Sequence, residues 1–157
     1  MAADPGRNLS RPRYVIAVDT NVLVAFVRSE YPHHEAARAC IYDLAEGRAA
    51  WAVPWTCVHE FLAVTTNPRI FRTPLSTARA AEAIAALQES PTLRLIGEGP
   101  GYWDTLHSLI ISGNIAGPRV HDARIAAVCL THGVAELWTA DRDFSRFASL
   151  RVRNPCA

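Results

Sequence analysis

The sequence contains no lysine: all 16 of its basic residues are arginine, set against 15 acids, for a formal net charge of +1. Schiff-base chemistry and a P-loop lysine are excluded at once. The near-neutral balance also excludes capture of a polyanion by bulk charge, so any nucleic-acid contact has to come from a local patch. No apolar run reaches the roughly 18 residues of a membrane span. The longest, 14–18 and 22–27, are separated by Asp19, Thr20 and Asn21. The four cysteines, Cys40, Cys57, Cys129 and Cys156, form neither a CxxC pair nor a zinc framework. Cys57 and Cys129 lie in apolar stretches and read as small core residues. This usage fits a reducing cytoplasm. Residues 1–12 carry charge without the apolar h-region of a secretory signal and read as a flexible tail.

What is present is an ordinary globular composition, 157 residues with 50% hydrophobic. A chain of that length buries roughly 70% of its unfolded surface and needs no disulfide or metal staple. One domain over residues 13–157 is expected. Residues 14–18 are continuously apolar, as in a strand buried on both faces. Helical patterns follow over 20–28 and 33–47, the latter with Ala37, Cys40, Ile41, Leu44 and Ala45 on one face. A strand at 49–53 leads through Pro54, placed as a helix N1 residue, into a helix reaching Thr66. An Ala-rich helix over 76–90 has Ser76 as its N-cap. Strands at 92–96 and 135–139 bracket helices over 102–112 and 121–131, the second stopped by Gly133. A helical turn at 144–147 and an edge strand at 150–152 complete the chain. Strands alternating with helices predict an α/β domain: a three-layer α/β/α sandwich around a mostly parallel sheet of four to five strands.

Five carboxylates stand out: Asp19, Glu60, Asp122, Asp141 and Asp143. Asp19, Asp122 and Asp141 each sit where an N-cap would serve a helix or turn, and Asp143 suits a solvated surface. Glu60 is harder to place blandly. It lies mid-helix among Cys57, Val58, Phe61, Leu62 and Val64, where a charge is costly unless it is exposed, paired or metal-bound. Asp19 and Asp141 fall at the carboxyl ends of the first and fourth strands, where open parallel sheets bind ligands. Glu60 and Asp122 are near enough on their helices to project into the same crevice. Carboxylates gathered there repel one another, and no lysine exists to neutralise them. A hard divalent cation resolves the repulsion, since Mg2+ and Mn2+ favour carboxylate oxygens and water. Such a centre activates water and stabilises charge on a phosphoryl group, which points to phosphodiester hydrolysis.

At these residues the sequence resembles the PIN-domain nucleases and, among them, the VapC toxins of type II toxin–antitoxin modules. The resemblance rests on Val18-Asp19-Thr20-Asn21-Val22-Leu23, on His59-Glu60-Phe61-Leu62 with Thr66-Asn67-Pro68-Arg69-Ile70-Phe71, on Val120-His121-Asp122-Ala123-Arg124-Ile125-Ala126-Ala127 and on Thr139-Ala140-Asp141-Arg142-Asp143-Phe144. The four blocks stand in family order and span about 14–152. The second and third are similar to the mycobacterial-type branch. The resemblance implies Asp19, Glu60, Asp122 and Asp141 as catalytic, metal-site acids and Asp143 as a supporting metal acid, with Asn21 and Thr139 holding the site by hydrogen bonds. It further implies Mg2+, with Mn2+ as substitute, an RNA substrate whose cleavage stops translation, a VapB-type antitoxin covering the site, and a homodimer. One or two metals are both compatible with it.

Arg119 and Arg142 adjoin the acid blocks and are candidate phosphate contacts, whereas Arg124 reads as an ion-pair partner within its own helix. His121 reads as a packing or hydrogen-bonding neighbour of Asp122. The His33-His34 pair has no third ligand at metal spacing and reads as a solvated helix start. The four tryptophans are candidate base-stackers, with Trp138 expected in the core and Trp51 and Trp55 in core or interface. Three other readings differ in kind. A phosphatase with Asp19 as nucleophile usually needs a second Asp where Asn21 stands, and a lysine. A non-catalytic subunit would use the acidic pocket to hold a basic peptide. A PIN nuclease of RNA processing would act outside a toxin–antitoxin module.

Overall fold

The computed structural model describes residues 14–157, so the tail expected over 1–12 lies outside the described residues. The chain runs β1 (Val15–Val18), α1 (Thr20–Val27), α2 (His34–Glu46), β2 (Trp51–Pro54), α3 (Trp55–Thr65), α4 (Thr77–Gln88), β3 (Leu93–Ile96), α5 (Tyr102–Ser112), α6 (Val120–Thr131), β4 (Val134–Trp138) and β5 (Arg151–Arg153). Short 3-10 turns occupy Gly117–Arg119 and Arg142–Arg146. The five strands form one sheet, ordered β3-β2-β1-β4-β5, and every pairing is parallel.

Each element has a local cause. All four residues of β2 and three of the four in β1 are buried, as strands covered on both faces must be. Helix α1 packs on α2 and α3, and α3 on α4, while α5 packs on α6 and α6 lies against β4 and β2. Ser76 caps α4 by accepting from the Arg79 amide at 3.2 Å. Gly133, at φ +68°, takes the left-handed conformation that turns the chain out of α6 into β4. Strand starts shift by one or two residues from the sequence reading, β2 beginning at Trp51 rather than 49, and three helix or turn starts differ for local reasons. Pro54 ends β2 and precedes α3 rather than occupying its first turn. Helix α6 begins at Val120, because the 3-10 turn through Pro118 runs straight into it. The turn expected at 144–147 begins at Arg142, capped by Asp141.

Strand order sets the position of the site. From β1 the chain passes outward to β2 and β3, then returns to β4 on the other flank of β1. The connections after β1 and β4 therefore diverge, opening a crevice at the carboxyl ends of these two strands. Beneath it, Trp51 is fully buried in β2 and donates its indole N–H to Ser90 Oγ at 3.1 Å. Replacing Trp51 by alanine is expected to cost about 3–5 kcal/mol, read as a lower midpoint in urea denaturation.

Candidate functional site

Asp19 follows β1 directly, and its amide donates to the Trp138 carbonyl of β4 at 3.0 Å. Its carboxylate is 5% exposed and is surrounded by donors. It accepts from Thr20 N at 2.7 Å, Thr139 Oγ1 at 2.8 Å, Asn21 Nδ2 at 3.4 Å and Cys57 Sγ at 3.4 Å. The N-cap and the candidate functional residue are thus one side chain. Burial raises its pKa, the hydrogen bonds from Thr139, Thr20 and Cys57 lower it, and the charge of Glu60 raises it again, with burial prevailing.

Thr139 is the hub. Its hydroxyl donates to Asp19 and accepts from Asn21 Nδ2 at 2.9 Å and from the Asp141 amide at 3.0 Å. One donor and two lone pairs are then fully used. Asn21 completes the bracket by accepting from the Ala140 amide at 3.0 Å. Glu60 projects from α3 to the same cleft and is exposed there; it accepts from Thr20 Oγ1 at 3.0 Å. Its exposure resolves the difficulty of a charge among apolar neighbours.

Asp19, Asn21, Glu60, Asp122 and Asp141 all line one cleft of about 380 Å3. Two of these, Asp122 and Asp141, and the neighbouring exposed Asp143 bring one carboxylate oxygen each to within 4.8 Å of one another. Asp19 and Glu60 share the cleft but stand outside this tight group. Asp122 does not cap α6; it sits in the first turn, facing acids from the loop after β4. Its pKa is raised by burial first, then by the charges of Asp141 and Asp143, with Arg146 opposing them. Hard oxygen donors at this spacing, their repulsion only partly offset by Arg146, suit a divalent cation.

The arginines divide by partner. Arg119 and Arg142 are exposed and make no ion pair among the described residues. Arg124 is paired, but with Glu98 of the loop after β3 rather than within its helix, because its side chain crosses to that loop. His121 is exposed, not packed. His34 is tied down, its Nδ1 at 2.8 Å from the Ala25 carbonyl. Trp51 and Trp138 are buried, while Trp55 and Trp103 are exposed. Burial pushes the Cys129 thiol up to about 12 and Cys57 well above its usual value, so both are inert. Thr20, Cys57 and Arg146 were not singled out from the sequence, yet each touches the acids. Only Thr20, a hydroxyl beside a strand-ending Asp, left a readable signal. Arg146 meets Asp143 at 3.6 Å, one 3-10 turn away.

A family model described as the PIN domain matches residues 16–150. Ribonuclease VapC48 of Mycobacterium tuberculosis is 30% identical over 137 residues, covering 87% of this chain and 94% of that protein. The crystal structure of Mycobacterium tuberculosis VapC20, a Sarcin-Ricin loop cleaving toxin, superposes with a TM-score of 0.62 at 21% identity, over 87% of this chain and 98% of that one. VapBC-1 from nontypeable Haemophilus influenzae gives a TM-score of 0.63 at 16% identity, over 91% and 99%.

Two predictions follow from the geometry. Thr139→Val leaves Asn21 and the Asp141 amide without their acceptor and Asp19 without a donor, and should cost about 1–3 kcal/mol in denaturant unfolding. Asp19 and Asp122 bind protons more readily folded than unfolded, so in EDTA these two groups add stability as pH falls from 7 through their raised values, while the lowered carboxyls of Glu30 and Glu98 act in the opposite sense. Asp122→Asn should raise the melting temperature in EDTA at pH 7 by about 2 °C and flatten that pH dependence, as followed by calorimetry.

Proposed function

The chain belongs to the PIN-domain family, among its VapC-type ribonucleases, and from that premise we propose that the acidic cleft is the centre of a Mg2+-dependent endoribonuclease, the toxin of a VapBC-type module. The observation that carries this reading is the convergence of Asp122, Asp141 and Asp143 in a cleft that also holds Asp19 and Glu60. Asp122, Asp141 and Asp143, with Asp19 lining the same cleft, would hold the ion, directly or through water. When bound, a divalent cation there lowers the pKa of a water and offsets charge on the phosphoryl oxygens. Mn2+ takes the same oxygen ligands.

The chain's own groups do the rest. Thr139 and Asn21, with Thr20 and Cys57, hold the Asp19 carboxylate in one orientation. Glu60, anchored through one oxygen by Thr20, orients the attacking water with the other. Arg119 and Arg142, both exposed, meet the RNA phosphates. A VapB-type antitoxin covers the cleft, and the active form is a homodimer. The toxin acts in the cytoplasm and stops translation by cutting RNA. Its four free cysteines fit a reducing compartment, and no helix among the described residues is long and apolar enough to cross a membrane.

The test is incubation of the purified, partner-free protein with total RNA in Mg2+, Mn2+ or EDTA. Cleavage should require metal and fall by about 100-fold or more in Asp19→Asn and in Asp122→Asn, both still folded by circular dichroism. Cleavage that persists in EDTA, or in cleanly purified Asp19→Asn, would sink the assignment.

A further inference from the structure

The run Thr66-Asn67-Pro68-Arg69-Ile70-Phe71, between α3 and α4, carries no acid, and the chemistry above leaves it unused. Pro68, Arg69 and Ile70 are exposed, whereas Phe71 is buried and its amide donates to the Asn67 carbonyl at 3.0 Å. The Phe71 ring meets two side chains of the connection between α1 and α2. The Arg28 guanidinium lies 4.2 Å from the ring centroid. The Tyr31 ring meets it edge-on, with centroids 5.9 Å apart and planes at 61°. Arg28, only 8% exposed, is itself tied down: Nη2 donates to the Thr73 carbonyl and Nε to Glu30 Oε1, both at 2.8 Å.

The connection clamped in this way forms a wall of the acid cleft, which Tyr31, Pro32 and His33 line together with the acids. His34 fixes that wall to α1, with Nδ1 at 2.8 Å from the Ala25 carbonyl. Ala25 also lines the cleft, six residues beyond Asp19, or about 9 Å along the axis of α1. Helix α3 runs beside α1, since Thr20 bonds Glu60 near one end and Arg28 meets Phe71 past the other. On α3, Val64 lies one turn beyond Glu60 and lines the cleft too. Each helix therefore carries its acid toward one end of the cleft and an apolar side chain further along. The cleft has an acid end and an apolar lobe bounded by Ala25, Tyr31, Pro32 and Val64.

We propose that this lobe seats the base of a nucleotide whose phosphate lies at the acids, with the Tyr31 ring as its stacking surface and with Phe71 and Arg28 as the residues that position Tyr31. The proposal rests on the ribonuclease reading. The step from Asp19 to Ala25 is comparable with the reach of one nucleotide from its phosphate to the far edge of its base. The cleft, about 380 Å3, lies at the lower end of the roughly 300–1,000 Å3 of small-molecule sites, a size for one unpaired nucleotide and not for a base pair. Arg119 and Arg142 take phosphates and leave the base without a partner. An aromatic ring among apolar side chains supplies one, and stacking accepts any base because every base has a π-face.

The experiment combines an abasic scan with a substitution series, on a short oligoribonucleotide that the wild type cuts in Mg2+. One base at a time is removed near the cut. Cleavage is measured as kcat and KM for wild type, Tyr31→Ala, Tyr31→Leu, Tyr31→Phe and Phe71→Leu, with folding followed by circular dichroism. On intact RNA, Tyr31→Ala should lose about 5- to 150-fold in kcat/KM. Tyr31→Leu, which fills the space without a π-face, should lose nearly as much, and Tyr31→Phe should recover most of it. At one abasic position beside the cut the loss should vanish, which a merely structural role would not produce. Phe71→Leu should lose activity at the same positions as Tyr31→Ala, and the double variant should match Tyr31→Ala within about 2-fold, because Phe71 acts through Tyr31. An equal loss at every abasic position overturns the proposal, as does a Tyr31→Leu protein as active as Tyr31→Phe. If the wild type neither binds nor cuts RNA in Mg2+, the ribonuclease reading falls and the base seat with it. If it does both and Tyr31→Ala matches it at every position, only the base seat falls.

Discussion

The Thr139 hydroxyl is the joint on which the site depends. Hydrogen bonds through its single oxygen connect Asp19 after β1, Asn21 in α1 and the backbone of Asp141 after β4. Parallel pairing of β1 with β4 brings the two strand ends level, but pairing alone leaves the side chains free to turn. The hydroxyl removes that freedom, converting two diverging loops into one rigid wall. A carboxylate as buried as Asp19 is tolerable because this network offers it donors where water cannot.

The opposing constraint is charge. Acids on the cleft side have few cationic neighbours, and the arginines nearby are spent elsewhere or face outward. Arg124 goes to Glu98, Arg146 reaches only the exposed Asp143 of the cluster, and Arg119 and Arg142 are exposed. An arginine planted among Asp122, Asp141 and Asp143 would relieve their repulsion and fill the place of a cation. Packing thus leaves the electrostatic cost only partly relieved within the protein, and a ligand of opposite sign and hard oxygen preference relieves the remainder. The raised carboxyl of Asp122 reflects burial first and then this repulsion, while that of Asp19 reflects chiefly burial.

Much of this was legible because local rules and global fold agree. The apolar runs named the central strands, Gly133 named the end of α6, and Asp19 after a buried strand marked a crevice. Illegible were facts made by distance. Nothing near Arg124 in sequence announces Glu98, 26 residues away. Glu60 looks buried from its neighbours because a helix among other helices still keeps an exposed arc, and its phase is set by packing against α1 and α4. His121 reads as a packing neighbour of Asp122, yet adjacent helical residues point about 100° apart, and it faces solvent.

The separation of Asp19 from Thr139 has a bearing on synthesis. The two side chains that close the site are 120 residues apart, and β1 finds its β4 partner only after both flanking layers exist. Loop closure over such a span is slow compared with local helix formation. On a ribosome the first acid emerges long before the strand that fixes it, so a growing or truncated chain carries the acids without the centre. A protein whose hazard lies in one cleft is thereby harmless until nearly its whole length has been made and folded.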